Sequence, residues 1–395
     1  MNQTSSETLR PEKVPFLRDP RKLAVLYQIL VMGGVALFGY WIFSNTQDNL
    51  QRQSIATGFG FFKKEAAFEI GESIISYSAA DTYGQALFVG FLNTLKVALI
   101  GNILTLILGA FIGIARLSTN WLVSKLASLY IEVMQNIPVL LQLFFWYAVF
   151  TEILPSPRES LNPWGHVFLN KRGLFFAVPE AHPAHKWMLA ALLLAALLVF
   201  FLTKWARRRQ DQTGQPFPVF WVGAGLVVGL PLLTWLAWGA PLKMDAPVLL
   251  GFNFKGGFSI SPEFSALLLG LIIYTSAFVA EIVRAGIQAV SKGQREAAMS
   301  IGLRPSLVLT LVILPQALRV IIPPLTSQML NLTKNSSLAI AIGFPDFVSV
   351  ANTTINQTGQ AIEGVALIMI CYLIFSLSTS AFMNWYNKKV ALVER

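Results

Sequence analysis

Eight long stretches of the sequence carry almost no charge, and they restrict the fold more than any other feature. A helix needs about 20 apolar residues to cross the hydrocarbon core of a bilayer. Seven uncharged runs approach or exceed this length, and an eighth is interrupted only by Arg319. The runs are 23–47, 97–115, 133–151, 187–203, 212–242, 264–280, 364–387 and, with Arg319, 305–333. They predict an all-α membrane protein with about eight transmembrane helices.

The composition agrees with a membrane environment and argues against several other classes. Only 13% of the residues are charged, whereas soluble domains carry roughly 25%. The formal net charge is +10, but the basic residues cluster at the ends of apolar runs, which favours contact with membrane lipid over nucleic acid. The single cysteine, Cys371, excludes a disulfide framework and a cysteine-based metal site. Three histidines share one loop without a helical ligand spacing, so we expect no metal and no cofactor of the chain's own.

The distribution of Lys and Arg predicts the direction of each crossing. Five basic residues, from Arg10 to Lys22, precede the first apolar run, so the N-terminus is expected to be cytoplasmic. Eight crossings then place every dense basic cluster, and the C-terminus, on the same side. The loops expected outside are 44–85, 152–186, 243–263 and 334–363.

Two features of the first outer loop and its neighbourhood leave alternatives. Residues 44–85 mix aromatic, charged and small side chains, which fits either an amphipathic segment on the outer membrane surface or a plain connecting loop. Lys96 falls within the second helix if that helix starts near Ala86. We interpret Lys96 as a side chain that reaches the outer interface.

A short polar segment, 291–304, separates two of the apolar runs on the cytoplasmic side. Ser291 and Gln294 have the spacing of a capping box, in which each side chain accepts from a free backbone N–H at the start of a helix. Gly302 followed by Pro305 predicts the helix end, because glycine takes the left-handed cap and proline cannot continue the turn. The segment is therefore predicted to be a short capped helix, suited to docking against another protein.

The same segment and its continuation carry a signature. Residues 296–298 are Glu-Ala-Ala, Gly302 follows after three further residues, and residues 312–315 are Val-Ile-Leu-Pro. This resembles the EAA-x3-G-x9-I-x-LP signature of ABC importer permeases, with valine at the isoleucine position. A second Glu-Ala-Ala-x3-Gly runs from Glu65 to Gly71, but it lies in an outer loop and lacks the continuation. We interpret the outer copy as coincidence.

The resemblance extends discontinuously over residues 86–388. Segments around 132–145, 274–294, 315–319 and 334–338 look like the polar amino acid branch of these permeases. The long form is similar to a membrane subunit of the general L-amino acid importers of Gram-negative bacteria. This resemblance implies a type I importer permease with a five-helix core, one extra N-terminal helix and a two-helix insertion, in the bacterial inner membrane.

The implied organisation follows the apolar runs. It comprises a cytoplasmic N-terminus (1–22), an extra transmembrane helix (23–47), a periplasmic loop (48–85), a permease domain (86–388) with an insertion (152–261) and a coupling helix (291–304), and a cytoplasmic tail (389–395).

The resemblance also implies partners. The sequence contains no Gly-x4-Gly-Lys-Ser/Thr phosphate loop, so the chain is not itself an ATPase and ATP would be bound by a partner ATPase subunit pair. Glu296, Ala297, Ala298 and Gly302 would dock and couple to that ATPase. A second homologous permease, forming a heterodimer or a homodimer, and a periplasmic amino acid-binding protein would complete the transporter.

The substrate pathway is predicted from a helix interrupted by proline. Pro315, Pro323 and Pro324 lie in one apolar run, and broken backbone at membrane depth is tolerated where it lines a cavity. A half-helix at 337–342, capped by residues 335–337, would offer its positive end to a substrate carboxylate. The candidate pathway residues are Lys334, Ser336, Ser337, Glu281, Arg284, Asn136 and Gln142.

Two alternatives stand beside these interpretations. Glu281 and Arg284, three residues apart on a helix, either contribute to the pathway or pair with each other. A secondary, ion-coupled amino acid transporter is the alternative function, but it would favour inverted repeats and several acidic residues deep in helices. A membrane enzyme is a third class, for which the sequence offers no catalytic constellation.

Overall fold

The computed structural model describes residues 20–52, 57–163 and 165–390. Most of these residues are helical. The α-helices are α1 (Pro20–Arg52), α2 (Tyr83–Arg116), α3 (Trp121–Asn136), α4 (Val139–Ala148), α5 (Pro183–Thr213), α6 (Val219–Ala237), α7 (Pro262–Gln288), α8 (Lys292–Ser300), α9 (Pro305–Leu307), α10 (Leu314–Asn335), α11 (Phe347–Thr358) and α12 (Ala361–Val390). Short 3₁₀ helices cover Phe59–Lys63, Pro157–Glu159 and Ser336–Ile342, and π-helical turns cover Val149–Ile153 and Val308–Ile313.

The expected set of membrane-spanning helices is confirmed, with one change of shape. Seven segments of the described chain are long and apolar enough to cross a membrane, and α3 with α4 makes an eighth that is bent by 103°. The run 133–151, which was expected to form one crossing, contains this bend. Pro138 lacks an amide hydrogen, and the residue before it, Ile137, is extended (φ −92°, ψ 124°). The helix therefore breaks at this dipeptide.

The core is organised around α2 and α7. Within their most apolar stretches, 44% of α2 and 61% of α7 are buried, compared with none of α1. A Cβ atom added at Gly109 would lie 2.5 Å from Val279 Cγ1, and one added at Gly113 would lie 2.6 Å from the Ala280 carbonyl oxygen. Only glycine fits at these crossings, as is common where membrane helices approach closely. Helices α4, α10, α11 and α12 pack around this pair.

The insertion folds as a helical hairpin with small sheets at one end. Helices α5 and α6 pack mainly against each other, and only 6% of each apolar stretch is buried. The strands are β1 (Val167–Asn170), β2 (Gly173–Phe176), β3 (Val178–Pro179), β4 (Met244–Asp245), β5 (Val248–Leu250), β6 (Asn253–Lys255) and β7 (Phe258–Ile260). β1, β2 and β7 form one antiparallel sheet, which joins the two ends of the insertion just before α7 begins.

The loop before α2 is folded against the core. Its only regular element among residues 57–82 is the 3₁₀ turn Phe59–Lys63, in which Phe61 is buried beside Tyr83. The Tyr77 hydroxyl donates to the Phe68 carbonyl oxygen at 2.9 Å. This loop therefore packs more tightly than a plain connection, and a position on the outer membrane surface stays a prediction.

Candidate functional site

Helix α8 forms where the polar segment predicts it, but its start is not the predicted capping box. Ser291 has the extended backbone of an N-cap, and its side chain makes no capping hydrogen bond. Instead, the backbone N–H of Gln294 donates to the Ser291 backbone carbonyl at 3.1 Å. Both side chains are exposed, so water competes with the backbone for their hydrogen bonds and the side-chain cap gains little.

The end of α8 is the predicted glycine cap. Gly302 has φ +84°, in the left-handed region. Its amide donates to the Met299 carbonyl at 2.9 Å, and the Leu303 amide donates to the Ala298 carbonyl at 3.3 Å. This pair of bonds is the Schellman arrangement, which satisfies the last carbonyls of the helix and turns the chain sharply. The chain then enters α9 at Pro305.

The four predicted coupling residues do not share one surface. Glu296 and Ala297 are exposed, whereas Ala298 is 5% exposed, in a helix that contacts the chain's own π-helical turn Val308–Ile313. The exposed apolar side chains at this end of α8 are Met299 and the C-cap residue Ile301, which is 78% exposed. An exposed Ile next to Ala297 and Glu296 leaves a small apolar surface with a charge at its edge. The sequence analysis did not assign Ile301 a docking role.

Glu281 and Arg284 follow the pairing alternative. The Arg284 side chain donates to both carboxylate oxygens of Glu281, through Nε at 3.1 and 3.2 Å and through Nη2. Arg116, the last residue of α2, also pairs with Glu281. Sequence reasoning missed Arg116 as a partner, since 165 residues separate the two. The carboxylate is thus neutralised by two guanidinium groups and ties the end of α2 to α7.

The predicted half-helix exists, but it has no free positive end. Helix α10 continues through Pro323 and Pro324 to Asn335 and passes directly into the 3₁₀ helix Ser336–Ile342. The Ser336 amide bonds to carbonyls of the preceding turn, and the Ser336 hydroxyl donates to the Thr333 carbonyl at 2.7 Å. The predicted break is therefore wrong at Pro323 and Pro324, where α10 stays helical although neither proline nitrogen can donate a hydrogen bond. Gly343, at φ +77°, ends this segment as predicted.

The remaining pathway residues are dispersed. Lys334 is exposed, and Ser336 is fully buried. Ser337 donates back to the Lys334 carbonyl at 2.7 Å. These bonds leave the two serine hydroxyls occupied by their own backbone.

Gln142 has a structural position at the bend between α3 and α4. Its amide donates to the carbonyls of Met134 at 3.0 Å and Ile137 at 3.1 Å, so it satisfies the end of α3 where proline breaks the helix. Asn136 is exposed and donates to the Glu132 carbonyl at 2.6 Å. Among the residues that the structure describes, no hydrogen bond connects Gln142 or Asn136 with Lys334.

A largely buried ion pair lies where Lys96 was expected to reach the interface. Lys96 pairs with Glu72, and their side chains are 18% and 14% exposed. The Lys96 ammonium also lies 4.1 Å from the Phe264 ring centroid, and Ser261 donates to the other Glu72 oxygen. Lys96 therefore pairs with a carboxylate of the loop expected outside, and its position at the outer interface stays a prediction.

Two further polar residues anchor the turn before α11. Asn93 donates to the carbonyls of Glu72 and Pro345, at 2.7 and 2.9 Å. Asp346 is fully buried, accepts from the Ser349 amide at 2.8 Å and from the Tyr372 hydroxyl at 3.2 Å, and caps α11. Burial raises the pKa of the Asp346 carboxyl to about 7. An aspartate after Gly-Phe-Pro is a readable N-cap signal, which the sequence reasoning did not use.

Within the part of the chain that the structure describes, no group of three or more His, Cys, Asp or Glu side chains could hold a metal ion.

Comparisons with known proteins identify the family. A family model for the inner membrane component of binding-protein-dependent transport systems matches residues 212–392. The general L-amino acid transport system permease protein AapQ of Rhizobium johnstonii is 52% identical over 377 residues, covering 95% of this chain and 94% of that protein. The chain belongs to the ABC transporter permease family.

Two other relatives support the same assignment. The putative amino-acid ABC transporter permease protein YhdX of Escherichia coli is 49% identical over 95% of this chain and 96% of its own length. The glutamate/glutamine/aspartate/asparagine transport system permease protein BztB of Rhodobacter capsulatus is 39% identical over 95% of this chain and 96% of its own. The secondary transporter is thus the less supported alternative, and the chain is a multi-pass permease of the inner membrane.

Proposed function

We propose that this chain is the permease subunit of an ATP-driven importer of L-amino acids, and that α8 couples it to a separate ATPase pair. The observation that carries the proposal is the helix itself: a capped, exposed helix with a left-handed Gly302, placed between two membrane segments of a family member. The three relatives are named for amino acids, and one of them for the general L-amino acids. That shared chemistry supports L-amino acids as the substrate class.

The docking surface on α8 consists of Glu296, Ala297 and the neighbouring Ile301. Ala297 and Gly302 have small side chains or none, so the partner can approach the helix backbone closely. Ile301 offers apolar area that a groove on the ATPase would bury. Glu296 supplies a charge at the edge of that contact. Ala298 contributes indirectly, because it packs against the chain's own next segment and fixes the position of α8.

The proposal includes two further partners and an orientation. A second permease completes the translocation pathway, as a heterodimer or a homodimer, and a periplasmic binding protein delivers the amino acid to the outer face. The distribution of basic residues supports cytoplasmic termini, with α8 on the cytoplasmic side. Among the predicted pathway residues, Lys334 and Asn136 remain candidates for substrate contact since their side chains are exposed.

The test is reconstitution of this chain with its co-expressed ATPase, second permease and binding protein in lipid. ATP hydrolysis should rise when the binding protein is loaded with an L-amino acid and should stay at the basal rate when it is empty. Uptake of labelled amino acid should require ATP. Uptake that continues without ATP and follows an imposed Na⁺ or proton gradient would overturn the proposal.

A further inference from the structure

The end of α5 carries a cluster of cations that the proposed coupling and substrate pathway do not use. Lys204, Arg207 and Arg208 are spaced i, i+3 and i+4, so they lie on one face of the helix, and all three are exposed. Like charges at this spacing repel each other. Asp211 follows on the same face, but no ion pair joins it to these cations in the described chain. The face keeps an excess of positive charge.

Aromatic rings hold the neighbouring cations in place. The Lys204 ammonium lies 4.4 Å from the Phe200 ring centroid. The Arg209 guanidinium lies 5.5 Å from the Trp205 ring and 5.9 Å from the Phe217 ring. Since Phe217 belongs to the turn before α6, Arg209 fixes the end of α5 to that turn. The cluster therefore sits on an ordered end of the hairpin.

Exposed apolar surface continues from this cluster along both helices. Trp205 and Phe201 on α5 are 48% and 57% exposed, and Phe220 and Trp221 at the start of α6 are each 75% exposed. Trp beside basic residues at a helix end is typical of the membrane interface, where the ring lies at the level of the headgroups. Cations next to such surface match a molecule with an anionic head and an apolar tail.

We propose that the end of α5 and the start of α6 bind an anionic phospholipid. Lys204, Arg207 and Arg208 hold its phosphate, and its acyl chains lie against the hairpin. Clusters of four or more basic residues beside a transmembrane helix attract anionic lipid at this level of the membrane. A soluble anion or an acidic protein would use the same cations, but neither accounts for the exposed Phe and Trp side chains beside them. The proposal does not depend on the transport function.

The experiment uses the full chain, purified with its partners and placed in nanodiscs of phosphatidylethanolamine with increasing phosphatidylglycerol. Bound lipid is counted by native mass spectrometry after release from the discs. We expect the native chain to retain phosphatidylglycerol selectively. R207Q with R208Q should weaken this retention about 30-fold, at about 1 kcal/mol for each cation. The matched control, K243Q with K255Q, removes the same charge from the other end of the insertion and should retain the lipid.

Two further variants and one competitor make the result decisive. R207K with R208K keeps the charge and should keep most of the binding, and its melting temperature reports whether the hairpin still folds. Inorganic phosphate at millimolar concentration should not displace the lipid. Equal lipid retention by the native chain and R207Q/R208Q, equal retention of phosphatidylethanolamine, or displacement by inorganic phosphate would each overturn the proposal.

Discussion

The pattern Glu-Ala-Ala-x3-Gly occurs twice in this chain, and the two copies have different backbones. In the copy that starts at Glu296, the first residues form the second half of α8 and Gly302 provides a left-handed cap. In the copy that starts at Glu65, no helix forms. There Ala66 is fully buried and Ala67 has φ +56°, a left-handed conformation that alanine rarely adopts.

The difference lies in what surrounds each copy. The outer copy continues into Glu72, whose carboxylate pairs with Lys96 inside the core, so its residues are held by tertiary contacts. The inner copy is followed by Pro305 and is surrounded mainly by solvent, so local caps decide its shape. The same seven-residue pattern is thus packed against the core in the outer copy and exposed on a short helix in the inner copy.

The largest difference between the two copies is expected in amino acid uptake, when the glycine that ends each copy is replaced. Gly302→Asp should reduce amino acid uptake about 100-fold, the upper range for a coupling free energy between two sites, because aspartate strains the left-handed cap and adds a charge to the docking surface. Gly71→Asp should leave uptake within about twofold, since a Cβ at Gly71 meets nothing within 4 Å. Uptake by each variant is measured in vesicles with matched amounts of inserted permease. Similar losses for the two variants would remove the functional distinction between the copies.

A second contrast concerns stability. Glu72→Gln should lower the free energy of unfolding by about 2 kcal/mol, because it leaves the mostly buried Lys96 without its carboxylate partner. Glu65→Gln, at an exposed position in the same loop, should change it by less than about 0.5 kcal/mol. Thermal unfolding of the detergent-purified protein gives the comparison.

Adding Lys96→Met to Glu72→Gln should recover part of the lost stability, because the unpaired buried charge is gone. An additive double variant, less stable than either single one, would contradict the ion pair as the cause.

The smallest contrast is at the two glutamates. Glu296→Lys should reduce substrate-stimulated ATP hydrolysis about tenfold, since it reverses one charge at the edge of the proposed contact with the ATPase. Glu65→Lys should leave hydrolysis unchanged. The measurement is ATP hydrolysis with a loaded binding protein, and a binding assay between permease and ATPase separates weak docking from a damaged transporter. Unaltered hydrolysis by Glu296→Lys would exclude Glu296 from the contact.

The apolar runs predict the membrane helices well because about 20 consecutive apolar residues have few other stable environments. Gly302 could be assigned from sequence because its cap depends on neighbouring residues only. The strands of the insertion, none longer than four residues, carry no periodicity that separates them from a loop.

Ion pairs between residues that are far apart in the sequence could not be predicted from it. Nothing local relates Glu72 to Lys96 or Arg116 to Glu281, because each pair forms only when the helices pack. The helix through Pro323 and Pro324 shows the opposite problem. Proline signals a break strongly, yet the surrounding helical bonds and neighbouring helices keep α10 continuous.

The glycine crossings between α2 and α7 have a mechanical consequence. With Gly109 against Val279 and Gly113 against Ala280, the two helices pack at a separation that leaves no room for a larger side chain between them. Arg116 and Glu281 clamp the same pair at one end. We therefore expect α2 and α7 to move together as one rigid body during each transport cycle. We expect the conformational change to involve other helices, and the 103° bend between α3 and α4 is a candidate hinge.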